Sequence, residues 1–194
     1  MKRTDGANEK PRARSPNILA AANASRVAKQ SAAAGFSSSI PLATSEAANL
    51  FDHGCEHEDA GRYHEAMRSY RRAIEVAGPS ASWLFNLANV LYRLRRKVEA
   101  VEAYRQALSH DDQSHETWNN LGVVLCELKQ CDEAMRAFQR TISLAPWFAD
   151  TLYNLADCLD ERGQFEAAQQ YWREYLRLDS QSEWSDYARS RLLT

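Results

Sequence analysis

Trp118 to Pro146 reads WNNLGVVLCELKQCDEAMRAFQRTISLAP. Two amphipathic stretches are divided by a short polar loop. In the first, Trp118, Leu121, Leu125 and Leu128 recur at spacings of three and four, the stripe of one helix face. The spacing predicts one helix over Glu116–Leu128 and a second over Asp132–Leu144. Gly122 stands inside the first helix, where glycine is unfavourable for helix propensity. It therefore answers to packing: a bulky side chain there would hold the two helices apart. Ala134 plays the same part from the second helix, and Phe138 fills the space left between neighbouring units.

Two helices joined this way leave one apolar face bare, so the unit must be repeated. Stepping by 34 residues from Ala66 reaches Ala100, Ala134 and Ala168. Four residues beyond each stands an aromatic: Tyr70, Tyr104, Phe138 and Trp172. Twelve before each stands a small residue, Gly54, Ala88, Gly122 or Ala156. Sixteen before stands a large apolar one, Leu50, Leu84, Trp118 or Leu152. No insertion or deletion interrupts the register.

These columns resemble the tetratricopeptide repeat, with its W-x2-L-G-x2-Y, A-x3-F and P signature at a 34-residue period. The third unit matches best, with Trp118, Leu121, Gly122, Leu125, Ala134, Phe138 and Pro146. The first departs most, with His53 and His57 where Leu and an aromatic are usual. The resemblance spans 47–182, as repeats 47–80, 81–114, 115–148 and 149–182. Beyond them Trp184, Tyr187, Ala188 and Leu192 form the apolar stripe of a capping helix over 183–193, with Ser182 as its N-cap. The fold class implied is all-α: a right-handed α-α superhelix of four repeats, occupying 44–194, with a concave groove lined by the first (A) helix of each pair.

Residues 1–43 have a different character. Pro11, Pro16 and Pro41 punctuate them and they carry a net charge of +5, against −7 for the remainder. Composition predicts a disordered basic N-terminal arm on an acidic body. No run approaches the roughly 18 apolar residues of a membrane-spanning helix. Cys55, Cys126, Cys131 and Cys158 include no C-x-x-C pair, and a chain of 194 residues needs no disulfides to build a core. Reduced thiols and a cytoplasmic location are the expectation.

No constellation for chemistry is legible. His53 and His57 share a helix face, but Cys55 points away from it and no second ligand pair follows. Cys126 and Cys131 flank a loop and read as tolerated small residues. There is no nucleophile with a matched base and no phosphate-binding glycine loop. The sequence reads as a binding module without cofactor, metal or catalytic residues.

Asn86, Asn120 and Asn154 recur at the repeat period, although Asn is poor in mid-helix. In superhelical members of the family, an Asn in this column lines the groove and bonds the backbone of an extended peptide. An amide both donates and accepts, which suits that task. Helix spacing adds Phe85, Asn89, Tyr92, Asn119, Tyr153, Asp157 and Asp160 as groove candidates, with Phe51, Cys55, Glu58, Val123 and Cys126 beside them. Members that grip the acidic tails of heat-shock chaperones use a clamp of Lys, Asn and Arg. Here the column for the first Lys holds Phe51, Phe85, Asn119 and Tyr153, so weak or no binding of such tails is expected. A protein or peptide partner is the expectation. The alternative is a regulatory protein whose basic arm docks on the acidic groove, or on an anionic partner such as nucleic acid.

Overall fold

A computed structural model describes residues 42–193, and all regular elements among them are helices. They are α1 (Leu42–Asp59), α2 (Tyr63–Ala77), α3 (Ala81–Arg93), α4 (Lys97–His110), α5 (His115–Glu127), α6 (Cys131–Leu144), α7 (Ala149–Glu161), α8 (Phe165–Leu178) and α9 (Glu183–Arg191). α1, α3, α5 and α7 are the A helices. Each packs chiefly on the B helix that follows it, and each B helix packs on the next A helix. This consecutive stacking builds an all-α superhelix with one continuous core. The expected helices of the third repeat agree with α5 and α6 to within a residue. The arm expected at 1–43 falls outside the described residues except at its end, where α1 already includes Leu42 and Ala43.

The core follows the repeat columns. Ala66, Ala100, Ala134 and Ala168 are fully buried, as are Tyr70, Tyr104, Phe138 and Trp172. The glycine column has a sharper purpose than helix separation. A Cβ on Gly122 would lie 2.5 Å from Cε1 of Phe138, and one on Gly54 would lie 2.4 Å from Cε1 of Tyr70. The B-helix ring rests directly on the A-helix backbone.

Each A helix turns into its B helix through one left-handed residue: Gly61, Arg95, Lys129 and Gly163, with φ of 71°, 62°, 63° and 73°. The bonds Arg96 N–H to Leu91 O, Gln130 N–H to Leu125 O and Gln164 N–H to Leu159 O close these turns at 2.9–3.0 Å. They satisfy carbonyls that the helix ends would otherwise leave open. On the B helices, Arg71 pairs with Glu99 and Arg105 with Glu133, a ladder that steps with the repeat. Such exposed pairs contribute little each.

Two expectations are corrected. Trp118 is half-buried rather than core: its indole N–H donates to the Asp112 carbonyl at 2.9 Å. It lines an open pocket of about 660 Å³ with Leu108, Leu121 and Leu125, rimmed by Arg105, Arg136 and Arg140. The pocket lies among α4, α5 and α6, so one side of the ring stays open. At α9, Ser182 is the N-cap residue but its hydroxyl makes no capping bond. That oxygen lies 3.1 Å from the Tyr175 hydroxyl instead.

Candidate functional site

The A helices present the candidate residues, and the rings behind them determine which are already engaged. An aromatic with a polar tip needs a partner when buried. Tyr70 donates its hydroxyl to Glu58 at 2.9 Å, Tyr104 to Asn89 at 2.5 Å, and Trp172 its indole N–H to Asp160 at 2.8 Å. In each case the acceptor belongs to the A helix of the same repeat. The third repeat has Phe138, which needs no acceptor, and its A helix carries Val123 and Cys126 at the matching places. Asn89 and Asp160, expected to face a ligand, are thus partners of the core rings. Asp160 also accepts from Arg191 Nε at 2.9 Å, which ties α9 down and balances its charge.

The asparagines form a chain of amides running between repeats. Asn120 donates to Asn89 at 3.2 Å, and Asn119 donates to the Asn120 oxygen at 3.4 Å. The Asn119 oxygen accepts from Thr151 at 2.9 Å and from Asn154 at 3.3 Å. Asn86 bonds within its own helix, donating to the Ser82 carbonyl at 2.8 Å. Asn119 and Thr151 are 0 % exposed, Asn120 1 %, Asn86 2 % and Asn154 8 %. The sequence suggested amides open to a ligand; the structure buries Asn86, Asn120 and Asn154, and bonds Asn120 and Asn154, with Asn119 and Asn89, to one another across the junctions of repeats two, three and four. The physical reason is the cost of burying an amide without partners, which neighbouring amides remove.

Tyr153 is likewise engaged. It is 4 % exposed, with its ring centroid 4.9 Å from Trp172, 5.4 Å from Tyr175 and 5.3 Å from Trp184. The capping helix covers it, as it must if the last repeat is not to expose its apolar face. Asp157 is also buried. Phe85 and Tyr92 are only half-buried; Tyr92 donates to Glu127 of the next A helix at 2.8 Å, and Lys97 pairs with that carboxylate at 2.9 Å. Asp150 is half-buried, and burial pushes its carboxyl above the usual range, with Asp179 adding to the shift. Glu58 is raised chiefly by burial, against the pull of the Tyr70 hydroxyl and of Arg93. His53 lies against Glu56 and His57 accepts from Arg62, so the two histidines serve separate exposed contacts.

Tetratricopeptide repeat family models match residues 51–116 and 113–181. No curated protein matches the chain as a relative. Among solved structures, MamA is 18% identical, with 84% of this chain and 90% of that one covered and a TM-score of 0.67. YrrB, described as a repeat protein with an unusual peptide-binding site, is 19% identical over 76% of each chain, with a TM-score of 0.70. The first repeat domain of Spaghetti (RPAP3), solved with the HSP90 peptide SRMEEVD, is 18% identical; 62% of this chain and 95% of that one are covered, with a TM-score of 0.60. Identities this low speak for the fold. With the family models spanning most of the chain and all four repeats stacked in register, this chain belongs to the tetratricopeptide repeat family.

Proposed function

We propose that the chain is a non-catalytic interaction scaffold that holds an extended peptide of a protein partner along its A helices. The observation that carries this is the pair of half-buried rings, Phe85 and Tyr92, on α3, where Tyr153, the fourth-repeat equivalent of Phe85, is closed over. They offer apolar and stacking contact. Glu127 and Asp150 add carboxylates on the following A helices, and the body's net charge of −7 favours a cationic segment. Asn86, Asn120 and Asn154 lie beneath the peptide in this reading, and Asn120 and Asn154 bond across the junctions that shape the face. The peptide-bound neighbour and the peptide site of YrrB support this mode of use.

The test is selection of peptides from a displayed random library on the full chain, followed by calorimetric titration. Selected peptides should be basic with an apolar anchor. Phe85→Ala should weaken them at least tenfold, as expected of a central aromatic anchor worth about 2 kcal/mol, while Trp118→Ala leaves them unchanged. The reverse pattern would place recognition at the pocket beside Trp118. The acidic peptide SRMEEVD should show no saturable binding, because Phe51, Phe85, Asn119 and Tyr153 stand in the first lysine column of a chaperone clamp.

A further inference from the structure

The pocket of about 660 Å³ at the junction of the second and third repeats has Leu108, Trp118, Leu121, Leu125 and Ala137 as its apolar walls. Arg105, Arg136 and Arg140 stand around it with Glu133 and Asp112. None of these residues is among the candidate groove positions, so the pocket is a second surface. The repeat pattern does not require it. In the Trp118 column, Leu84 and Leu152 are each 3 % exposed, whereas the larger Trp118 is half-buried, its indole N–H held by the Asp112 carbonyl. One repeat later Tyr171 stands in the place of Ala137, a ring where the pocket has a methyl. The rim is equally particular. Arg136 and Arg140 correspond to Glu102 and Gln106 one repeat earlier, and to Gln170 and Glu174 one repeat later. Column packing therefore accounts for neither the open indole nor the basic rim.

Both acids of the rim are already engaged. Glu133 pairs with Arg105 at 2.5 Å and Asp112 with Arg140 at 3.7 Å. Arg136 is exposed and makes no ion pair among the described residues. On a body of net charge −7, three guanidinium groups against two paired carboxylates make a local positive site.

We propose that this pocket docks an acidic segment of a protein partner that inserts one aromatic side chain. The ring lies against the Trp118 indole, where aromatic contact adds to the burial of area. Carboxylates flanking the ring meet Arg136 and the outer faces of Arg105 and Arg140. Arginine suits that task, because its planar fork meets a carboxylate bidentately and also stacks on rings. Nucleic acid offers rings and anions too, but a long polyanion would confront the acidic body, whereas a short acidic segment confronts only the rim. The inference is independent of the basic peptide assigned to α3. The two ligands differ in charge and in the residues they touch, so either reading can fail while the other stands.

The experiment titrates the isotopically labelled full chain with the peptide EEFEE, blocked at both ends, and follows it by two-dimensional NMR. The expected result is saturable shifts centred on the Trp118 indole N–H, Leu108 and Ala137, with affinity falling as salt is added. The peptides EEAEE and KKFKK, which lack the ring or reverse the charge, should each bind about tenfold more weakly. SRMEEVD has acids but no ring and should bind no better than EEAEE. Trp118→Leu installs the residue type of Leu84 and Leu152 and should weaken EEFEE about tenfold. Arg136→Gln has no ion pair to lose and should weaken EEFEE about threefold or more at unchanged helical content. The proposal is overturned by an absence of saturable shifts, by shifts centred on Phe85 and Tyr92, by equal affinity for EEFEE and KKFKK, by unchanged affinity in either variant, or by tighter binding of oligothymidylate.

Discussion

Asn119 is the test of whether the buried amides hold the solenoid together. Its oxygen accepts from Thr151 at 2.9 Å and from Asn154 at 3.3 Å, and both donors belong to the next repeat. Asn119→Ala removes the acceptor of both bonds at once and leaves a buried hydroxyl and a buried amide seeking partners. A buried polar group left unsatisfied costs about 1–3 kcal/mol. Because Asn154 retains slight exposure and Thr151 none, the larger share falls on Thr151. The total should be about 2–4 kcal/mol. For a domain of this size that lowers the midpoint by about 5–10 °C.

A double-mutant cycle isolates the bond. Thr151→Val replaces the hydroxyl by a methyl of similar shape, so it removes the donor with little change in packing. Alone it should cost about 1 kcal/mol. Combined with Asn119→Ala it should cost about 1–2 kcal/mol less than the sum, because the contact is already lost. The assay is urea unfolding followed by helical circular dichroism, with selected-peptide affinity measured in parallel. Additivity to within about 0.5 kcal/mol would refute the coupling. Unchanged stability with lost peptide affinity would show that Asn119 serves the ligand instead.

Trp172 and Trp118 should separate: Trp172→Ala removes a fully buried ring and should cost about 3–5 kcal/mol, with Trp118→Ala roughly half that, and the opposite order by thermal denaturation would overturn the packing described. Lys129→Gly relieves a left-handed residue and should raise stability by about 0.5–1 kcal/mol; a lowered urea midpoint would mean that the turn holds no such strain. Glu58 and Asp150 are raised acids, which bind their protons more tightly when folded, so their contribution to stability falls as pH climbs from the ordinary carboxylate range through the raised values. Glu58→Gln keeps an acceptor for Tyr70 and removes the charge, so its melting point at pH 7 should be no lower than wild type and its decline with pH shallower; a steeper decline would contradict the linkage. Deleting residues 1–40 leaves α1 whole and should tighten binding of basic peptides if the arm competes for the acidic face, with added salt diminishing the difference; identical affinities would refute that competition.

The repeat was legible because packing restricts its columns hard. A ring seated about 2.5 Å from a would-be Cβ requires glycine at Gly54 and Gly122, and the small Ala88 and Ala156 hold the same column in the other two repeats. The turn column was concealed: Gly61 and Gly163 signal a left-handed turn, but Arg95 and Lys129 adopt the same φ without the signal. The asparagine column was visible, yet its use was not. Whether an amide meets a ligand or another amide depends on side chains about one repeat away, as Asn120 with Asn89 and Asn154 with Asn119 show. The burial of Tyr153 was hidden for the same reason. Its cover comes from Trp184 on a helix read separately as a cap.

One rule connects the engaged positions to the open ones. Tyr70, Tyr104 and Trp172 each recruit an acceptor from the A helix of their own repeat, which engages Glu58, Asn89 and Asp160 within the fold. The cap covers Tyr153, and the inter-repeat amide bonds engage Asn119 and Asn120. Phe85 and Tyr92 remain half-buried on the second repeat, joined by the Tyr92 bond to Glu127 on the third. Recognition should therefore concentrate at the second and third repeats, while the fourth, bound to its cap, serves chiefly to close the core. Under the proposed function, the same bonds that keep the solenoid in register would thus limit where a peptide gains anything by binding.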